Sequence, residues 1–314
     1  MPIRLLVTTA TVPHVNAADD TIFMRVHLPA ESDKVTPPPY PVVLLLPDIM
    51  CSAASYGWLA MRLAARGFAV VTYDWVVQSD RGIGRLTPGI EFAALDPTIY
   101  GTMPSAPAVP AVLTELERIN ARDILDGELD THRLILGGHG TGGWLALHNA
   151  TRRFFLGVTA AFAFAPNALD LLDRAGHEPG GLPVLPSDVP TLVIAASEDG
   201  IGTRLNAQFG AAGETGAVLV RRLWDRIGGG HGHAYFMALR GANHFTITHP
   251  LDTAAEAATA DDPETASGDA LRDLLAEIVG AFASGYVQRP HGDIDALRRF
   301  IAQRPPLLVE ARLK

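Results

Sequence analysis

The chain is predicted to be an α/β protein, with a mostly parallel central sheet of about eight strands flanked by helices. Three observations predict this. "VVLLL" at 42–46 is a continuous apolar run, the pattern of a strand buried on both faces. From there to residue 240, strand-like runs alternate with helix-like ones, which implies parallel strands joined by covering helices. The chain has 314 residues, 48% of them hydrophobic, enough for a large core in a single domain, 1–314.

The elements follow in order. Residues 3–12 and 21–28 read as strands, joined by "NAADD" and followed by the proline-rich "TPPPYP". After the strand at 42–46, Tyr56, Leu59, Ala60 and Leu63 recur at helical spacing, and Gly67 ends that helix. "FAVVTYDW" at 68–75 is the next strand. Beyond it lie a helix around 108–120, a strand at 133–137, a helix at 141–150, and strands at 157–164, 190–195 and 234–240. Leu271, Leu274, Leu275, Ile278, Val279 and Phe282 form the apolar stripe of an amphipathic helix.

The connections carry expectations of their own. Segment 76–106 is long and rich in Gly and Pro, a length usual for functional loops. It and the insertion 211–233 are expected to shape a pocket, with Trp75 and Trp224 as candidate lining residues. Segment 166–189 is too short and Pro/Gly-rich for a large helical lid. Residues 252–269 read as an exposed polar loop, and 291–314 as a C-terminal appendage.

Composition narrows the function classes. The net charge is −9, and no basic run appears, so a nucleic-acid partner is not expected. Cys51 is the one cysteine, so an internal disulfide is excluded. No apolar run approaches the ~20 residues of a membrane helix, and the apolar patch near the N-terminus is too short for a signal peptide. A cytoplasmic protein binding a small apolar molecule, with no cofactor and no metal, is the expectation.

The chemistry centres on "GGHGTGG", residues 137–143, between a strand and a helix. The residues satisfy G-x-G-x-x-G as Gly138, Gly140 and Gly143, a dinucleotide-binding fingerprint. That motif belongs to the first βαβ unit and needs an acid at the end of the next strand. Here two sheet strands precede it, and "AFAFAPNALD" has no acid before Asp170. The other reading is a nucleophile elbow, G-x-S-x-G, a turn that presents a serine at the top of a parallel sheet. Its centre is Gly140, which has no side chain. The elbow reading also requires an acid and then a histidine, each just past a later strand. Asp199 in "VPTLVIAASEDGI" and His244 in "YFMALRGANHFTI" meet that order. Alone, Asp199 reads as a helix cap and His244 as a loop histidine; together, in order and at strand ends, they read as a pair. An oxyanion hole would take the backbone N–H of Thr141 and one from the loop "PDIMCS".

"LLPDIMCSAASYGWLAMRLAARGFAVVTYDW" resembles the corresponding region of bacterial cutinase-like polyester hydrolases, and more loosely chlorophyllases and dienelactone hydrolases. The likeness extends through the elbow, "VPTLVIAASED" and "GANHF", about a third of the chain. It implies the α/β-hydrolase fold, a second oxyanion N–H from Ile49, and Asp199 and His244 as triad acid and base. Gly140 stands where that family has serine.

Glycine adopts the strained elbow backbone at little cost, but it removes the attacking oxygen. Among substitutes, Thr141 would point into its helix. Cys51 has nothing in the sequence pairing it with His244, and His139 reads as packing. Met50 joins Cys51 and His139 as a candidate pocket residue. His231 and His233 lack a third metal ligand and read as a solvated loop. Three functions remain open: an esterase-type hydrolase acting on an apolar ester, lactone or amide whose serine was exchanged, in nature or by engineering; an enzyme using His244, oriented by Asp199, as general base; or a silent ligand-binding protein. Restoring the hydroxyl with Gly140→Ser is expected to raise aryl-ester turnover under the first.

Overall fold

Ten strands among the described residues build one mixed sheet. They are β1 (Ile3–Thr11), β2 (Thr21–Pro29), β3 (Tyr40–Leu46), β4 (Ala69–Ser79), β5 (Gly82–Arg85), β6 (Leu129–His139), β7 (Val158–Phe164), β8 (Thr191–Glu198), β9 (Ala234–Asn243) and β10 (Leu308–Leu313). Their order is β1-β2-β4-β3-β6-β7-β8-β9-β10, with β5 paired on β4. The computed structural model describes residues 3–12, 20–30, 37–49, 51–79, 82–122, 124–210, 212–228, 232–251, 261–287 and 294–314.

The expected sheet of about eight mostly parallel strands is corrected. Six strands, β4-β3-β6-β7-β8-β9, form a parallel block. β1, β2, β5 and β10 pair antiparallel around it. Two strands were missed altogether: the four-residue β5, inside a segment read as loop, and β10, which reads "LVEARL" and is mostly exposed at the sheet edge. An edge strand buries little, so its sequence carries no apolar run.

Helices cover both faces. On one face α1 (Gly57–Ala64) and α7 (Gly268–Val287) pack with Val43, Leu45, Phe162 and Ile194. On the other, α2 (Ala108–Asn120), α3 (Gly140–His148) and α6 (Gly216–Asp225) pack with Val42, Leu44, Leu136 and Val193. Side chains alternate along each strand, so one apolar run feeds two cores. Short helices α4 (Leu169–Arg174) and α5 (Gly200–Phe209) follow β7 and β8, and α8 (Ile294–Ala302) lies against α7.

Three segment readings change. Segment 211–233 contains α6, whose Leu219, Val220, Leu223 and Trp224 are buried in the core. Segment 76–106 begins with the end of β4, forms β5, and buries Ala94, Leu95, Ser105 and Ala106. Of 252–269, residues 252–260 lie outside the described residues, and Asp261 is engaged in the site below rather than free in a loop. Within 166–189 the one helix is the six-residue α4.

Candidate functional site

Four parallel strands deliver the site residues to one edge of the sheet. β3 ends before Asp48, β6 before Gly140, β8 before Asp199 and β9 before His244. Register decides the neighbours. Leu46 pairs with Gly138, so the chain two residues on sets Asp48 beside Gly140. Glu198 pairs with Asn243, so one residue on Asp199 meets His244.

Gly140 opens α3 with φ +53°, the left-handed backbone that glycine takes without strain. A Cβ built there would overlap Cγ and both carboxylate oxygens of Asp48. The neighbouring Gly142 lets the helix start press against the backbone carbonyls of Leu46 and Pro47, which a Cβ would strike. The glycines are thus explained by close approach of two strand ends, with no phosphate needed.

The carboxylate of Asp48 bridges two partners. Oδ1 accepts a hydrogen bond from the Thr141 backbone N–H at 2.7 Å. Oδ2 accepts from His244 Nε2–H at 2.9 Å. His244 Nδ1–H in turn donates to Asp199 Oδ1 at 3.2 Å. The sequence-predicted Asp199, His244 and Thr141 are therefore brought together, and Asp48 completes the group. Asp199 also caps α5, accepting the Gly202 N–H at 2.8 Å, so the helix-cap and site readings both hold.

Asp48 was not singled out in the sequence. Its signal was position: an acid just past a buried strand, in the loop already expected to face the elbow.

A second ring of hydrogen bonds locks the backbone around the pair. The Asp48 N–H donates to Tyr56 Oη at 3.0 Å, which donates to His139 Nδ1 at 2.9 Å. His139 Nε2–H donates to the carbonyl of His244 at 2.9 Å. Asp261 fixes the far side: one oxygen accepts the His244 N–H at 2.7 Å, the other the Gly200 N–H at 2.9 Å. Tyr56 was read as a core position and Asp261 as loop; neither role is visible without the tertiary fold.

Electrostatics assign the protons. Burial pushes the Asp48 carboxyl up, but the His244 hydrogen bond and the nearby imidazoles outweigh it and hold it at about 2. Burial pushes His244 down, but Asp199 and Asp48 on either side raise it to about 10. His139 is lowered to about 3 by burial and by His244. At neutral pH Asp48 is therefore a carboxylate and His244 an imidazolium, beside a neutral His139.

Exposure separates the members. The side chain of His244 is fully buried and that of Asp199 nearly so, whereas Asp48 keeps 12% of its side-chain surface in solvent. Approach to this centre from solvent meets Asp48 first.

The remaining candidates are placed as follows. Ile49 is exposed beside Asp48, Cys51 is buried in the α1 face, and Met50 lies outside the described residues. Trp75 is buried, its ring closed over by Gly89. Trp224 packs under the Lys314 ammonium, 4.2 Å from its ring, where Lys314 pairs with Ala234 at the start of β9, the opposite edge of the sheet. His233 Nδ1 pairs with Tyr286 Oη at 3.0 Å, and His231 lies outside the described residues.

Nitrogens of His139 and His244 and an Asp48 oxygen lie within 4.8 Å of one another, near enough for a metal. All four ring nitrogens already have protein partners, which makes the cluster a hydrogen-bonded network rather than a ligand set.

No protein-family model matches the chain, and a search of curated proteins finds no relative.

Proposed function

We propose that this chain is a hydrolytic enzyme of the α/β-hydrolase type in which the Asp48 carboxylate is the nucleophile in place of an elbow serine. The observation that carries the reading is the shared volume: Asp48 fills the space of the absent residue-140 side chain and engages His244 and the Thr141 N–H. The parallel block, the strand-end order of Gly140, Asp199 and His244, and the resemblance to cutinase-like hydrolases support the fold assignment. The buried His244 favours Asp48 over a histidine acting directly on substrate.

The occupied Thr141 N–H bears on the electrophile. A carbonyl substrate needs a free donor for its developing oxyanion, and this one already holds Asp48 Oδ1. A saturated carbon carrying a leaving group needs none there. Asp48 attacks that carbon, the carbon–leaving-group bond breaks with its electron pair, and an alkyl ester of Asp48 forms. Esterification removes the Asp48 charge that helps raise His244, so His244 releases its Nε2 proton to the leaving anion or solvent. Neutral His244, held by Asp199, then takes a proton from water attacking the ester carbonyl. Oδ1 gathers the charge against the Thr141 N–H, and collapse releases the alcohol and restores the carboxylate. The net reaction is R–X plus water giving R–OH, X⁻ and a proton.

The test is mass spectrometry with a panel of haloalkanes and epoxides. His244→Gln is expected to accumulate an alkyl adduct on the peptide holding Asp48, and Asp48→Asn to abolish turnover. Turnover of aryl esters that survives Asp48→Asn would overturn the reading. Absence of adduct and turnover across the panel would instead favour a silent binding protein.

A further inference from the structure

A cavity of about 380 Å³ opens near the starts of β7 and β8, whereas Asp48 lies past the end of β3. Its volume falls in the range of small-molecule sites. Tyr100, His148, Thr151, Phe154 and Pro186 line it. His148 ends α3, whose first turn carries Thr141, so one helix spans the distance between the two places.

The polar atoms at this cavity are organised from behind. Asn149 Oδ1 accepts the Ser105 backbone N–H at 3.0 Å, which fixes the orientation of its amide. Asn149 Nδ2 then donates to Ser105 Oγ at 2.9 Å. The Ser105 hydroxyl hydrogen is left for His148 Nδ1, 2.6 Å away. His148 is fully buried and lowered to about 4 by that burial, so it is neutral and carries its hydrogen on Nε2. Among the described residues that Nε2–H has no partner, and neither does the hydroxyl of Tyr100. Buried donors without acceptors cost about 1–3 kcal/mol each, so two adjacent ones are a strong demand for an acceptor.

The surroundings define what kind of acceptor. His148 stacks on Trp144 with rings 5.2 Å apart and 9° from parallel, and Tyr100 lies 4.7 Å from His148. Phe154 adds a third ring at 6.2 Å from His148. These favour a flat aromatic body. The guanidinium of Arg153 lies 6.0 Å from the Phe154 ring, and the charge of Arg226 acts on Tyr100. The acid at the cavity is Asp188, one oxygen of which accepts the Arg152 N–H at 2.9 Å. Arg153 at the cavity and the Arg226 charge felt at Tyr100, set against the one lining acid, favour an anionic acceptor.

We propose that this cavity is a second binding site, for a small planar aromatic carboxylate that seats beside Arg153 and, by opening the cover over them, draws the buried His148 Nε2–H and Tyr100 Oη–H onto its oxygens. It is separate from the Asp48 centre and does not depend on the function proposed for it.

Titration of the full chain with benzoate, followed by calorimetry and by the imidazole nitrogen signals of His148, tests it. The expected result is saturable one-to-one binding in the millimolar range or tighter, with the His148 Nε2 signal shifting. Tyr100→Phe and Arg153→Gln, which keep shape and surface, should each weaken binding by up to about tenfold. Cyclohexanecarboxylate should bind more weakly than benzoate. Failure to saturate at millimolar benzoate, affinity untouched by both substitutions, or equal affinity for the non-planar acid would each overturn the proposal.

Discussion

The carboxylate of Asp48 and the missing side chain of Gly140 are complementary: one occupies the volume the other leaves empty, and any Cβ at 140 would overlap all three carboxyl atoms. The two residues come from adjacent parallel strands whose register, Leu46 opposite Gly138, sets them side by side. A glycine at the elbow is therefore half of a pair and not merely a deletion.

Restoring serine alone should fail for this reason. Gly140→Ser places a side chain in left-handed backbone and against Asp48, a combination of strain and overpacking worth about 2–4 kcal/mol. It should gain no aryl-ester activity. Combined with Asp48→Gly, which vacates the volume, the serine should be tolerated and reach His244. Denaturant unfolding of the two single variants and the double gives a cycle whose coupling should be strongly favourable; additive effects would show that the two positions do not share space.

The imidazolium state of His244 depends on Asp48. In the unsubstituted chain its ring signals should show both nitrogens protonated at neutral pH, titrating near 10. Asp48→Asn removes a hydrogen-bonding and Coulombic partner and should move that titration downward by a clear margin. Nitrogen-15 NMR of the ring reads this directly, and an unchanged midpoint would mean Asp199 alone sets it.

Stability should vary with pH in a window these two groups define. Asp48 is depressed from 3.8 to about 2, so its contribution is present above pH 3.8 and is lost as the pH falls toward 2. His244 is raised from 6.5 to about 10, so its contribution is complete below pH 6.5 and is lost as the pH rises to about 10. The stability difference between the unsubstituted chain and His244→Gln, measured by urea unfolding, should be flat between pH 4 and 6.5 and shrink above that.

Tyr56→Phe cuts the ring that ties the two strand ends together. The Asp48 N–H and His139 Nδ1 each lose a buried partner, a cost of about 1–3 kcal/mol per group. Thermal unfolding should register the loss. Turnover on any substrate the Asp48 adduct assay identifies should fall in kcat more than in KM, because the ring orients Asp48 and does not reach solvent.

Much of this was readable from one dimension. The apolar run 42–46, the alternation of strands and helices, and the order Gly140, Asp199, His244 are local patterns, and the described strands and helices follow them closely. Residues whose roles are made by distant partners were not readable. Asp48 looks like a loop acid, Tyr56 like a core aromatic, Asp261 like part of a polar linker. The short β5 and the edge strand β10 were missed because they lack an apolar run, whereas β1 and β2 were read as strands and only their antiparallel pairing awaited the structure.

The sequence by itself determined the α/β alternation, the backbone permissiveness of residue 140 and the strand-end placement of Asp199 and His244, since each follows from local residue type and spacing. The tertiary structure alone decided that the absent side chain is replaced by Asp48, because only strand register and the close packing of α3 on β3 bring that carboxylate into the vacant volume.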